Sequence, residues 1–255
     1  MERSVVRKRP SLLTQLVDLT LIQLSNWRWS WRRMITTGMV APVISLVALG
    51  LFARSSGPEA LAYVFSGNIV LGLMFENLGK VSSNFSFMKA MGTLHYFATL
   101  PVHRYVLVLA TVISFFIMSL PSTLLTIWIG HIILDVPLAL HPLLLAVIPL
   151  VAIPLAALGA LIGASARTPE EAGTITTLLI FTLTGLGPVV IPPSLLPEVM
   201  VWIGRFSPVT YAASALRQTL LGPVTEQLGW DMLVLGGVAV LSGWLVSRRM
   251  EWRQV

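Results

Sequence analysis

The chain has 255 residues, of which 55% are hydrophobic and only 11% charged, with a mean hydropathy of +0.82. Soluble domains carry about 25% charged residues, so the composition excludes an ordinary soluble domain and indicates an all-α integral membrane protein, one transmembrane domain over 1–255. With no cysteine, disulfides, thiol catalysis and Cys-based metal sites are excluded, and the net charge of +6 raises a nucleic-acid surface as a question that charge placement must answer.

The start, MERSVVRKRPSLLTQLVDL, is basic but lacks a compact apolar core followed by small residues, so no cleavable signal peptide is expected. In 11–33, Leu12, Leu13, Leu16, Leu19, Ile22 and Leu24 recur at roughly helical spacing between Gln15, Asp18 and Gln23. The segment closes on Trp27, Trp29 and Trp31 alternating with Arg28, Arg32 and Arg33. An apolar stripe ended by Trp and Arg predicts a helix lying in the membrane interface, because these side chains bridge hydrocarbon and headgroups. Such a helix would anchor the first span or act as a movable elbow beside it.

A spanning helix needs about 20 mostly apolar residues. Six segments qualify: 34–53, 60–79, 105–129, 143–165, 172–191 and 228–247. Six spans put both termini on one side. With that side cytoplasmic, 14 of the 17 Lys and Arg fall inside, and only Arg54, Arg205 and Arg217 fall outside. This asymmetry follows the positive-inside rule and predicts cytoplasmic termini in a cell membrane. The basic residues then serve topology and headgroup contacts, which argues against nucleic acid.

The second span carries Asn68, Glu76 and Asn77. A charge in hydrocarbon is costly and faces a partner or a wet cavity. Lys80, at i+4, can pair with Glu76; otherwise Glu76 marks a transport path or gate.

KAMGTLHYFATLPVHR, 89–104, separates spans two and three. Gly92 breaks the chain, Thr93 can cap a short helix over 94–100, and Pro101 stops it. Leu94, Phe97, Ala98 and Pro101 form one apolar face. So short a helix is unstable in water alone and needs the membrane surface or another protein to dock on.

Span four holds Gly159 and Gly163 at GxxxG spacing, which lets helices approach closely within or between subunits. In the loop ARTPEEA that follows, Thr168 can cap a helix, Pro169 suits its first position, Glu170 and Glu171 favour its positive end, and Glu171 completes a capping box. Between spans five and six, 191–222 is apolar and broken by Pro192, Pro193, Pro197 and Pro208. It predicts short outer helices that dip into the bilayer and return.

Catalytic patterns are absent. GLMFENLGKV, 72–81, has six residues between its glycines and Val81 after Lys80, so it does not match a phosphate loop. The four histidines are scattered, and no metal or catalytic cluster is expected.

Two stretches carry a family resemblance. Gly92-Thr93-Leu94, then Pro101-Val102 and Arg104 before an apolar span, resemble the region after the second span of ABC-2-type transporter permeases. The acid usual before that glycine is replaced by Lys89-Ala90-Met91. Pro197, Pro208, Thr210, Tyr211, Leu216, Arg217 and Gly222 resemble a second family stretch between spans five and six. The closest flavour is the drug-resistance, daunorubicin-exporter-like type; polysaccharide export permeases share the plan.

The resemblance implies a coupling helix (Gly92, Thr93, Leu94, Tyr96, Phe97, Leu100, Pro101, Arg104) seated on a separate ATPase. Thr168, Pro169, Glu170 and Glu171 would make a second contact, and Glu76, Asn68 and Tyr211 would mark the substrate path or gate. It further implies a homodimer with two ATPase chains, ATP and Mg held by the ATPase, and no cofactor on this chain. The alternatives are an ion-coupled secondary transporter, which would show several intramembrane ionisable residues and internal repeats, and a membrane enzyme, which would show a polar cluster in the spans. The apolar spans favour a drug, lipid or glycolipid as cargo.

Overall fold

The computed structural model describes residues 11–27, 31–100 and 102–249; Arg28, Trp29 and Pro101 lie outside them, as do the side chains of Trp27, Trp31, Arg32, Arg33, Ala98 and Arg104. Among the described residues every regular element is a helix. In chain order they are α1 (Leu12–Trp27), α2 (Trp31–Ser56), α3 (Pro58–Leu73), a π-helical turn (Met74–Gly79), α4 (Lys80–Ala90), α5 (Thr93–Thr99) and α6 (Arg104–Leu134). Then come α7 (Leu144–Ser165), α8 (Pro169–Gly185), a 3₁₀ turn (Pro193–Leu195), α9 (Glu198–Gly204), α10 (Pro208–Leu221) and α11 (Gln227–Arg249).

Among the described residues, four helical stretches are long and apolar enough to cross a membrane: Pro58–Ala90, Tyr105–Leu134, Leu144–Ser165 and Gln227–Val246. Two further apolar helices, Leu12–Ser25 and Pro42–Ser56, are shorter. Two expected boundaries are corrected. The second span does not end at 79 but runs on as one helix to Ala90, because Lys80, Ser82, Ser83 and Asn84 are polar yet compatible with helix. The fifth is not 172–191. It starts at Pro169 and stops at Gly185 after 17 residues, where 186–192 turns away across the bundle.

The helices run up and down between two ends, here called the α5 end and the α9 end. The core joins α3, α7 and α10, with Phe65, Leu73, Met74, Leu78, Val147, Ala152 and Leu216 buried together. The small residues of α7 let it press on the second long helix. A Cβ at Gly159 would lie 2.5 Å from the Leu78 carbonyl oxygen, and one at Gly163 would overlap the Ser82 carbonyl oxygen. The GxxxG pair therefore packs within one subunit. Such close approach replaces hydrophobic driving force in lipid with van der Waals contact. At the α9 end, Gly204 lies against Pro188, while Ala139 N–H and His141 N–H donate to the carbonyls of Leu220 and Thr219 at 2.8 and 2.9 Å. These contacts tie the α6–α7 connection and the turn after α8 to the short helices.

Candidate functional site

At the α5 end, α4 stops at a left-handed residue, Gly92 with φ +71, a conformation that glycine adopts without steric cost. The chain reverses there into α5. Thr93 is the first residue of α5 and its side chain makes no capping hydrogen bond, so the expected Thr93 cap is corrected to a Gly92 cap. Leu100 is extended ahead of the proline, as the preceding residue of a proline must be.

The faces of α5 are divided. Leu94 and Phe97 turn inward and pack with Leu16 and Leu19 of α1, Met88 of α4, and Val106, Leu107 and Ala110 of α6. His95, Tyr96 and Thr99 face outward; Tyr96 is 64% exposed and the neighbouring Met91 77%. Leu94 and Phe97, expected to dock on the membrane surface or another protein, are the residues the chain uses to hold α5 in place, and Tyr96 stands on the free face.

Three contacts hold the elements around α5 together. Gln15 of α1 accepts from His103 N–H at 3.2 Å, just beyond α5. Gln23 donates to Thr111 Oγ1 at 3.2 Å, so both glutamines of α1 face the protein beside Leu16 and Leu19. The apolar side of α1, Leu13, Val17, Leu21 and Ile22, is exposed, an arrangement suited to lipid. Lys89, in the last turn of α4 just before α5, reaches across to the α7–α8 connection. Its ammonium donates to the Ala164 and Ala166 carbonyls at 3.0 and 2.8 Å. A cation here satisfies carbonyls that a helix end leaves without partners.

The Thr168 turn lies next to that contact. Thr168 Oγ1 accepts from Glu171 N–H at 3.2 Å, and Glu171 Oε2 accepts from Arg167 N–H at 2.8 Å. The reciprocal bond thus reaches one residue further back than in a standard capping box. Pro169 occupies the first turn, and Thr168, Glu170 and Glu171 are exposed.

Glu76, Asn68 and Tyr211 do not form one site. Glu76 is only 4% exposed and pairs with Lys80 through both oxygens, at 2.6 and 2.7 Å. Asn68 is fully buried and donates to the Val64 carbonyl at 2.8 Å, leaving its Oδ1 without a partner. Tyr211 donates to the Arg205 carbonyl at 2.7 Å at the α9 end.

Sequence reasoning missed a polar group near that end. Arg217, expected at the headgroups, lies 3.6 Å over the Tyr63 ring and 3.4 Å from Ser66 Oγ. Asp231 is fully buried and accepts from Gln218 and Gln227, both at 3.1 Å. The signal was present in the pattern of Arg217-Gln218 and Gln227…Asp231, polar residues too regularly placed for a loop.

The family model for the ABC-2 type transporter matches residues 14–221. The chain belongs to this family. It is a membrane protein and the permease component of an ABC transporter, and ABC-2 permeases are transport subunits, not catalysts. Family membership also implies an ABC ATPase subunit as partner. No curated protein sequence matches the chain. In this ABC-2 permease, α4, which leads into α5, is joined by Lys89 to the end of α7, just before the Thr168 turn.

Proposed function

We propose that this permease is the membrane half of an ATP-driven exporter, in which two copies of the chain work with two ATPase subunits that hold the ATP and Mg. Six spans, α2, α3–α4, α6, α7, α8 and α11, cross the cell membrane with both termini cytoplasmic. α5 is the coupling helix and the Thr168 turn is the second contact. The observation that carries this reading is the two-sided α5: Leu94 and Phe97 are built into the protein, while Tyr96 and Met91 stand out from it. A short helix gripped on one side and bare on the other passes a push from a partner to α1, α4 and α6 without absorbing it.

The cargo is hydrophobic or amphipathic, a drug, lipid or glycolipid, carried outward. The apolar exposed faces of the long helices favour that chemistry. An ion-coupled transporter is less well supported, since the buried acid Glu76 already has its counter-ion in Lys80. The exposed stripe of α1, Leu13, Val17, Leu21 and Ile22, anchors the chain in the interface.

The test is reconstitution of the chain in lipid vesicles with and without its ATPase, following efflux or flipping of fluorescent drug and lipid probes. Movement that requires the ATPase and ATP supports the reading. Movement driven by an ion gradient with the permease alone would refute it.

A further inference from the structure

α9 is a short helix mounted rigidly at the α9 end. Gly204 sits against Pro188 on one side, and the Tyr211 hydroxyl holds the Arg205 carbonyl at 2.7 Å. Its free face forms a groove lined by Glu198, Val201, Trp202 and Arg205, with Pro193 and Leu196 at one edge. Trp202 is 59% exposed, and its ring meets Phe206 edge-on at 5.1 Å. Among the described residues, neither Glu198 nor Arg205 has an ion-pair or side-chain hydrogen-bond partner, and both are exposed.

Glu198 and Arg205 are seven residues apart. That is two helical turns, about 10.5 Å along the axis, so both lie on the face of Trp202. The helical backbone continues through Arg205 (φ −63, ψ −23), which keeps this register. An acid at one end, a base at the other and an aromatic ring midway make a surface that is its own complement when turned through 180°. Two-fold contacts between identical chains have this property, since residue i meets j while j meets i.

We propose that α9 pairs antiparallel with α9 of a second copy of this chain, Glu198 of each against Arg205 of the other and the two Trp202 rings at the axis. Rim charges of this kind contribute little affinity and mainly fix register; the aromatic anchors supply the contact. The pairing closes the α9 end of the dimer over the midline and rests on the two-copy reading above.

The absence of cysteine makes the test direct. Trp202→Cys, and separately Val201→Cys to keep the Trp anchor, are expressed in the full chain and oxidised in native membranes. Both positions lie at the proposed axis, so most of the chain is expected as a disulfide-linked dimer. On the Val201→Cys background, Glu198→Arg or Arg205→Glu should each lower that yield fivefold or more, and the two together should restore it. Copy number is read independently, by mass photometry of the purified permease–ATPase complex in lipid nanodiscs. Two copies without cross-linking at 201 or 202, or a charge swap that fails to restore it, overturns the α9 pairing and leaves the two-copy reading intact. A single copy overturns both.

Discussion

The Lys89 ammonium lies 2.8 Å from the Ala166 carbonyl oxygen, joining the last turn of α4 to the connection between α7 and α8. With its second bond to Ala164, it ties the helix that leads into α5 to the turn capped by Thr168. In place of the acid usual to the family, the chain has a cation that serves the negative end of α7.

Lys89→Met should therefore loosen the two elements from each other. Hydrogen bonds from charged groups contribute about 1.5–3 kcal/mol, so a fall in thermal stability is expected, while Lys89→Arg retains most of it. In the permease–ATPase complex, the Met variant should hydrolyse ATP at a near-normal rate but move less cargo per ATP. Equal transport-to-hydrolysis ratios in Lys89→Met and the unaltered chain would limit Lys89 to stability alone.

The division of α5 gives opposite outcomes for its two faces. Leu94→Asp or Phe97→Asp places a charge among Leu19, Val106 and Leu107 and should lower the yield of folded chain several-fold. Tyr96→Asp should leave folding unchanged and weaken ATPase binding at least tenfold, about 1.4 kcal/mol. Fluorescence size-exclusion profiles read the first effect and quantitative co-purification the second.

At the contact of α7 with α4, Gly163→Ala meets the Ser82 carbonyl and must displace a helix, at a cost of about 1–3 kcal/mol. Gly173→Ala, on the same side of the bundle but with open space around it, should be neutral or stabilising by up to about 1 kcal/mol. Thermal unfolding of the two variants in detergent compares them.

Glu76 and Lys80 behave as one unit in this geometry. Glu76→Leu alone strands a partly buried cation and should cost about 2 kcal/mol or more, and adding Lys80→Met should recover much of it. If the double variant is stable and transports normally, the pair is structural. A stable double variant without transport would put Glu76 on the path.

Much of the fold was legible because apolar runs are long and turns are marked by Gly92, Pro101, Thr168 and Pro169. The helix after Gly92 and the cap at Thr168 follow from local chemistry alone. Helix ends were less legible. Hydropathy falls at Lys80, but helix propensity does not, so the second long helix passes that point unbroken. At Gly185 the opposite holds: apolar residues continue while the backbone turns. The side chains that face a partner were least legible, because Leu94 and Phe97 satisfy an apolar neighbour of either kind. Only the packing of α1 and α6 against them decides which. Likewise the sequence shows Gln15 and Gln23 only as polar residues between the leucines of α1, and the fold shows His103 and Thr111 binding them.

The most direct test is affinity purification of the chain from its native membranes in mild detergent, with mass spectrometry of what co-elutes, run in parallel with Tyr96→Asp. An ABC ATPase in equimolar amount with the unaltered chain, and lost from Tyr96→Asp, is the predicted result. A chain that elutes without any ATPase, or one that retains it equally in the variant, would contradict the role assigned to the outward face of α5.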